Sequence, residues 1–393
     1  MSRWKTVVAG VLALALLGWI AVAYVSRSGV PRQVGRVLPP LPLGASATAA
    51  PTPTPLKLVA RPRTSPGDFQ SGLSLLVYAQ DPPLAAYAQL LDQLVGDDVN
   101  SLSIAFPVYT DGLRSNAVHA GRDTPSDAAL AALVGQARAR GFTVMLRPLL
   151  DEATILPNWR GEIQPSSPAA WFASYGALIT SYARIAQRQG ADSIGVGSEL
   201  NSMESNVDGW RALIAQVRQV FSGQITYSVN WGTNASDFRT GFWSLLDFLS
   251  VDAYFPLDRT PAVASVPQMT ADWQRWLGLL QGLDRPFGKP IVFTEVGVAP
   301  KTGAHLKPWN RLAGTQVNLD EQRAYYEATC AATTRSISGL YWWAAGPSMP
   351  GADLSADDYN PLGRPAEGAM QACYAGLPAP AAPAAKPVLG ATR

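Results

Sequence analysis

The chain has 393 residues, which suits one barrel-sized domain flanked by tails. Its 31 basic and 29 acidic side chains nearly balance and no basic face stands out, which argues against a nucleic-acid partner. With two histidines, no Cys-x-x-Cys motif and no Gly-x-Ser-x-Gly elbow, the sequence predicts no metal, no other cofactor and no Ser-His-Asp triad. Any catalysis is therefore expected to depend on carboxylates.

The first predicted element is a membrane segment at residues 1–27. Arg3 and Lys5 precede an almost wholly apolar run, residues 7–25, which is long enough to cross a bilayer as a helix. We expect an uncleaved signal anchor that holds the rest of the chain outside the cytoplasm at the cell membrane. Cleavage near Ala23, which would release a secreted protein, is the alternative.

Two segments have compositions that do not build a core. Residues 28–67 are rich in Pro, Ala and Thr, and this composition favours an extended linker. Residues 377–393 are also rich in Pro and Ala and predict a disordered tail. The folded domain is therefore predicted to span residues 68–376.

Within this domain, short apolar runs alternate with longer segments of helical period. The predicted strands are residues 73–77, 101–106, 143–147, 193–198, 225–229, 248–252, 291–294 and 339–343. Predicted helices are residues 84–95, 126–140, 169–189, 207–221, 269–283 and 320–333, with none placed between the fifth and sixth strands. Eight strands in this alternation predict a (β/α)8 barrel of the α/β class. A doubly wound open sheet is the alternative, although no Gly-x-Gly-x-x-Gly turn follows any of the strands.

Two of the apolar strands end in a glutamate, Glu199 after the fourth and Glu295 at the seventh. A buried strand that stops at a carboxyl group is costly unless that end opens into a polar cleft. In a barrel, the carboxyl ends of all strands meet at one face. Two facing carboxyl groups are what glycosidic-bond hydrolysis requires. For either glutamate alone, a structural ion pair at a strand end remains the alternative.

Other polar and aromatic residues follow the strands toward the same face. Tryptophan and tyrosine suit sugar sites because an apolar ring packs against the CH face of a pyranose while the polar tip hydrogen-bonds. The tryptophans could equally belong to the core, and Asp252 could be a structural cap. The candidate substrate-binding residues are Arg147, Trp159, Asn230, Trp231, Asp252, Tyr254, Trp342 and Trp343.

Four motifs together resemble the glycoside hydrolases of clan A, and most of all family 113, the β-mannanase-type family. These are Val196-Gly-Ser-Glu-Leu200, Ser250-Val-Asp-Ala-Tyr-Phe-Pro256, Phe293-Thr-Glu-Val-Gly297 and Tyr341-Trp-Trp343. The resemblance covers about residues 72 to 374. It implies a retaining glycosidase acting on a β-linked polysaccharide, with mannan favoured. It further implies that Glu199 is the general acid/base, that Glu295 is the nucleophile, that Tyr254 hydrogen-bonds Glu295, and that Trp342 or Trp343 is the sugar platform.

The sequence departs from the family pattern at two places. Ser198 stands where much of the clan has an asparagine that contacts the sugar 2-hydroxyl, and Leu149-Leu150 stands where a histidine-bearing segment is usual. Both departures bear on the identity of the substrate more than on the reaction. They leave open an inactive barrel that binds a cell-surface glycan without cleaving it.

The retaining mechanism sets physical requirements on the two glutamates. Their carboxyl groups should lie about 5–5.5 Å apart, with Glu199 protonated and Glu295 ionised. A neighbouring carboxylate would raise the pKa of Glu199, while Arg147 and Tyr254 are placed to keep Glu295 ionised.

The two cysteines, Cys330 and Cys373, both fall on helix-like segments near the C-terminus. In an oxidising compartment they could form a disulfide between the last two helices, and two separate buried thiols are the alternative.

Overall fold

The computed structural model describes residues 68–232, 241–284, 287–347 and 358–377. The predicted membrane segment, the linker and, beyond Leu377, the C-terminal tail lie outside these ranges. Within them, no helix combines the length and the apolar character needed to cross a membrane.

The strands form a closed barrel in which every neighbouring pair is parallel and the order follows the chain. Pairing of β8 with β1, with Tyr341 opposite Gly72, closes the ring. The predicted (β/α)8 barrel is thereby confirmed, and the open sheet is wrong. The strands are β1 (Gln70–Leu76), β2 (Ser101–Val108), β3 (Thr143–Leu150), β4 (Ser193–Ser198), β5 (Gln224–Asn230), β6 (Leu249–Asp252), β7 (Ile291–Val296) and β8 (Gly339–Ala345).

Seven α-helices accompany the barrel in the described ranges. They are α1 (Leu84–Gly96), α2 (Asp127–Ala139), α3 (Pro168–Gln189), α4 (Val207–Arg218), α5 (Val266–Asp284), α6 (Leu319–Thr333) and α7 (Pro365–Ala375). Between β5 and β6, the described residues contain one short 3-10 turn, Trp243–Leu245, and no α-helix. The sequence predicts no helix between the fifth and sixth strands, and the described part of this connection is irregular.

Local sequence signals set the ends of the longest helix, α3. The Ser167 hydroxyl accepts a hydrogen bond from the Ala170 amide, and Pro168 occupies the first turn, where its missing N–H costs nothing. Gly190 ends the helix at φ 68°, a left-handed conformation that glycine adopts without a Cβ clash. These signals fix the helix that delivers the chain to β4.

Side chains of β8 alternate between two environments. Leu340 and Trp342 belong to the large core between the barrel and the helices. Tyr341 and Trp343 belong to smaller clusters whose other members come from several strands, as expected for the barrel interior. The direction of each strand-end side chain therefore decides whether it reaches the site.

The C-terminal helix α7 is fastened to the barrel in two ways. A disulfide joins Cys373 on α7 to Cys330 on α6. In addition, the Tyr374 hydroxyl lies 2.7 Å from the Gly72 carbonyl oxygen and 3.0 Å from that of Leu340. Helix α7 thus spans the seam where β1 and β8 close the ring.

Candidate active site

The two glutamates lie at the carboxyl ends of two strands that are not neighbours in the barrel, β4 and β7. Glu295 is the fifth residue of β7 and is 7% exposed. Glu199 directly follows β4, is half-buried, and has a φ of 54°. A non-glycine residue in this left-handed region is uncommon, and such residues concentrate at functional sites. The left-handed backbone conformation of Glu199 is therefore consistent with a functional role for its side chain.

Glu295 is held by two donors, one on each carboxylate oxygen. Nη1 of Arg147 lies 2.7 Å from Oε1, and the Tyr254 hydroxyl donates to Oε2 over 2.8 Å. A cation and a hydroxyl that both donate to a carboxylate favour its ionised form. The contacts anticipated for Arg147 and Tyr254 are therefore present.

Glu199 receives a different kind of partner. The Asn230 side-chain amide donates to its Oε1 over 2.7 Å, and the other end of that amide accepts from the Gly232 backbone N–H at 2.8 Å. A neutral amide stabilises a carboxylate less than a guanidinium does. The surroundings of the two glutamates thus differ in the sense that an acid and a nucleophile require.

Beneath the glutamates, Asp252 is completely enclosed and fully hydrogen-bonded. It accepts from Nη2 of Arg147 at 2.7 and 2.8 Å, from the Ser198 hydroxyl at 2.6 Å and from the Thr294 hydroxyl at 3.0 Å. The Asp252 carboxylate thus binds Arg147 and its neighbours inside the barrel rather than lining the open cleft. The hydroxyl of Ser198 is likewise hydrogen-bonded inside the barrel, and the amide beside Glu199 comes from Asn230 on the next strand.

Burial, followed by the nearby charge of Asp252, raises the pKa of the Glu199 carboxyl from 4.5 to about 7. The same two causes raise the pKa of Glu295, while Arg147 and the Tyr254 hydroxyl act to lower it. The charge of Glu199 also raises the pKa of Glu295, which shows that the two groups are close enough to interact. Arg147 and Tyr254 favour the ionised form of Glu295, which is the form that a nucleophile requires.

Only one of the two strand-eight tryptophans reaches the site. Trp343 packs with Tyr254, Leu149 and Ala105, and its ring lies 5.8 Å from the Arg147 guanidinium carbon. Trp342 is 0% exposed and stacks on Tyr326 of α6 at a ring-centroid distance of 3.6 Å. Trp342 therefore belongs to the outer core, and its assignment to the sugar platform is wrong.

The barrel, the paired glutamates and Trp343 agree with the comparison to known families. The family model of Glycoside Hydrolase Family 113 matches residues 84–359. The chain belongs to this family. Membership makes the protein a glycosidase and confirms the resemblance found in its motifs.

Solved structures extend the comparison. The family 113 β-mannanase AaManA from Alicyclobacillus acidocaldarius, in complex with ManMIm, is 27% identical with a TM-score of 0.69, covering 78% of this chain and 97% of that one. A family 113 β-1,4-mannanase structure is 25% identical with a TM-score of 0.70, covering 79% and 99%. A family 5 mannosidase from Rhizomucor miehei shares the fold, at 13% identity and a TM-score of 0.53 over 78% and 92%. No curated protein is significantly similar to the chain.

Trp159 and Trp231, the other tryptophan candidates, lie on loops of this family 113 barrel. Trp159 is half-buried and precedes a short 3-10 turn whose Gly161 leaves room for its ring: a Cβ there would lie 2.1 Å from a ring carbon. Trp231 follows Asn230 and stacks on Trp309, a residue that the sequence reasoning missed. Both candidates are partly exposed, unlike Trp342.

A buried ion pair beside Glu199 also escaped the sequence reasoning. Nε of Arg160 lies 3.0 Å from Oε1 of Glu152, and both side chains are below 9% exposed. The charge of Arg160 lowers the pKa of Glu199, so this guanidinium is near enough to act on that carboxyl group. The Trp159-Arg-Gly161 motif contained the residue, but nothing in the sequence pattern indicated its direction.

The second departure from the family pattern has a structural counterpart. Leu149, at the place where a histidine-bearing segment is usual, is 2% exposed and packs with Tyr254 and Trp343. An apolar side chain there supplies a wall beside Trp343 and offers a sugar no hydrogen bond from its side chain. The set of donors available to a sugar in this barrel differs accordingly from the family pattern.

Proposed function

We propose that the protein is a retaining glycosidase that cleaves β-1,4-linked mannan-type polysaccharide by a two-glutamate double displacement. The observation that supports this most is the contrast between Glu295, paired with Arg147 and Tyr254, and Glu199, whose carboxyl group accepts a hydrogen bond from the neutral Asn230 amide. One carboxyl group is equipped to stay ionised and the other to hold a proton.

In the first step, the Glu295 carboxylate attacks the anomeric carbon while Glu199 gives its proton to the departing glycosidic oxygen. The bond to the leaving sugar breaks and a glycosyl-enzyme ester forms. In the second step, Glu199, now ionised, takes a proton from water, and the resulting hydroxide displaces Glu295 from the same carbon. Two inversions give a product of retained configuration, and both glutamates return to their starting states.

Mannan is favoured because the family 113 structures at 25% and 27% identity are described as β-1,4-mannanase and β-mannanase. Ser198 and Leu149 leave the choice of sugar to experiment. We further propose that the barrel acts outside the cytoplasm. The apolar run at residues 7–25, the Pro-rich linker and the Cys330–Cys373 disulfide all suit an exported protein.

The test measures release of reducing ends by the full chain from mannan, glucomannan, xylan and mixed β-glucans. We expect release from a mannan that disappears in Glu295→Ala. Proton magnetic resonance of the first product formed should show the β-anomer. Release of the α-anomer first would contradict the double displacement.

Rescue by azide tests the proposed roles of the two carboxylates separately. In Glu199→Ala, azide should intercept the glycosyl-enzyme made from an activated aryl glycoside and give a β-glycosyl azide. In Glu295→Ala, azide takes the place of the nucleophile and should give the α-azide. If the unchanged chain binds mannan as tightly as Glu199→Ala does and releases no sugar, the protein is a binding barrel.

A further inference from the structure

His305 is buried in the loop between β7 and α6 and forms hydrogen bonds through both of its ring nitrogens. Its side chain is 0% exposed. Nδ1 contacts Oε1 of Glu321 near the start of α6. Nε2 lies 2.8 Å from the Thr260 hydroxyl and 3.1 Å from the Pro261 carbonyl oxygen, both in the loop between β6 and α5. One ring therefore joins the β6–α5 loop, the β7–α6 loop and α6.

The partners of Nε2 fix its protonation. A backbone carbonyl oxygen such as that of Pro261 can only accept a hydrogen bond. The Thr260 hydroxyl has one hydrogen, which it donates to the Leu257 carbonyl oxygen over 2.6 Å, so it also accepts from the ring. Nε2 therefore carries a hydrogen.

The contact at Nδ1 then needs a second proton. With Nε2 protonated, a neutral imidazole would turn the Nδ1 lone pair toward the Glu321 carboxylate, and two acceptors in contact repel each other. The contact is attractive only when a proton lies between Nδ1 and Oε1. This contact therefore depends on one proton, and histidine is the side chain that ordinarily gains or loses a proton near neutral pH.

Neighbouring charged side chains are engaged away from the ring. Asp258 on the β6–α5 loop binds Arg275, Asp320 on α6 binds Arg323, and Lys307 on the β7–α6 loop is exposed to solvent. Glu321 is 5% exposed and supplies, among the described residues, the only charged group within ion-pair distance of the ring. The proton is thus exchanged within a single buried pair.

The two loops joined by this ring follow two strands that carry catalytic groups. Tyr254, which donates to Glu295, lies two residues beyond β6, and Glu295 is the fifth residue of β7. Farther along the loops, the Leu257 amide donates to the His305 carbonyl oxygen over 3.0 Å. Loss of the contact between the loops is therefore expected to reach the hydroxyl that favours the ionised form of the proposed nucleophile.

We propose that His305 and Glu321 form a proton-dependent clasp that holds the β6–α5 and β7–α6 loops together and so positions Tyr254 against Glu295. The clasp is closed while the shared proton is present and opens as rising pH removes it. Its contribution to stability is accordingly present at lower pH and lost toward higher pH. The clasp itself is independent of the substrate, whereas its effect on the rate rests on the proposed glycosidase function.

The first measurement follows the ring nitrogens of the full chain, carrying isotope-labelled histidine, by nuclear magnetic resonance over a pH titration. His119→Gln assigns the signals, because the chain has two histidines. We expect both nitrogens of His305 to be protonated at the acidic end, and Nδ1 to lose its proton as the pH rises while Nε2 keeps its own. Loss of the Nε2 proton first, or a ring that keeps both protons until the barrel unfolds, would overturn the inference.

Hydrogen exchange of residues 253–265 and 297–318 measures whether the clasp is closed. After correction for intrinsic exchange, protection of both loops should fall at least about tenfold over the pH range in which Nδ1 deprotonates. Glu321→Gln provides an amide that can accept from a protonated Nδ1 or donate to a bare one, so its protection should not follow the titration of the ring. Asp320→Asn is the matched control, because it removes an exposed acidic side chain from the same turn of α6 and should keep the original pH dependence.

His305→Gln keeps a donor near the position of Nε2 and loses the bond to Glu321. Protection of both loops should then be low at every pH, and kcat/KM on mannohexaose should fall about three- to tenfold. Low protection with an unchanged kcat/KM, or protection that still follows the titration of the ring in Glu321→Gln, would overturn the inference. If the original chain cleaves no glycan, the proposed function fails, while the resonance and exchange measurements still decide whether the clasp exists.

Discussion

Nη2 of Arg147 lies 2.7 Å from Oδ1 of Asp252, and neither side chain is more than 1% exposed. A buried charge is tolerated only when it is paired and hydrogen-bonded, and Asp252 meets this condition with further bonds from Ser198 and Thr294. The pair leaves Nη1 of Arg147 for Glu295. Asp252 is thus a positioning residue, which aims the guanidinium that keeps the proposed nucleophile ionised.

Substitutions of Arg147 should separate its two roles. Arg147→Lys keeps a charge but has one nitrogen for two partners, so we expect a folded protein whose kcat falls by about 10²–10³. Arg147→Met leaves Asp252 buried without its cation and should lower the free energy of unfolding by about 3–5 kcal/mol. Denaturant unfolding and initial rates measure both effects. The exposed Arg323→Lys is the control, and an Arg147→Met protein as stable as the original would refute the argument.

The positions of Glu199 and Glu295 could be predicted because both continue a buried strand, and parallel strands of a barrel end at one face. The directions of other strand-end side chains could not. Register shifts occur between Phe293 and Val296 in the β7–β8 pair and between Gly195 and Ser198 in the β4–β5 pair. At each shift, the two-residue alternation that separates inward-facing from outward-facing side chains is interrupted between the paired strands.

The family motif offered Trp342 or Trp343 as the sugar platform and could not choose between them, because adjacent residues of a strand point to opposite faces. Trp309 and Arg160 were missed for another reason. Both lie on loops after strands, where no period relates sequence to direction. Their contacts, with Trp231 and Glu152, come from the tertiary fold alone.

The pH dependence should report the proton on Glu199. The first step needs the protonated form, and the pKa of this carboxyl is raised to about 7, so kcat/KM should fall as the pH rises through that value. The Asn230 amide favours the ionised form of Glu199 and lowers its pKa, and the charge of Arg160 acts in the same direction. The charges of Asp252 and Glu152 raise the pKa. Asn230→Ala removes a lowering contribution and should move the alkaline limb to higher pH. Unfolding measured over the same pH range is the control for loss of folded protein. Movement of the alkaline limb to lower pH in Asn230→Ala would contradict its assignment to Glu199.

The disulfide should contribute to stability through the loop it closes. Cys330 and Cys373 are 43 residues apart, and a loop of this length corresponds to about 4 kcal/mol in the chain-entropy model. We expect the Cys330→Ala/Cys373→Ala double variant to unfold at lower denaturant concentration while its kcat per folded molecule stays unchanged, because both cysteines lie on outer helices. Reductant should shift the original protein in the same direction and leave the double variant unaffected. Equal midpoints for the original protein and the double variant would contradict the prediction.

Trp342 and Trp343 form a matched pair, adjacent in sequence and opposite in direction. Trp342→Leu removes the ring stacked on Tyr326 and should cost up to about 3 kcal/mol of unfolding free energy, with kcat/KM per folded molecule unchanged. Trp343→Leu removes the ring beside Tyr254 and Arg147 and should lower kcat/KM on mannohexaose about 10- to 100-fold. Denaturant curves give the folded fraction at the assay temperature, so the two effects are measured on the same samples. If Trp342→Leu lost as much kcat/KM per folded molecule as Trp343→Leu, the division of β8 into an outer and an inner face would not describe the working enzyme.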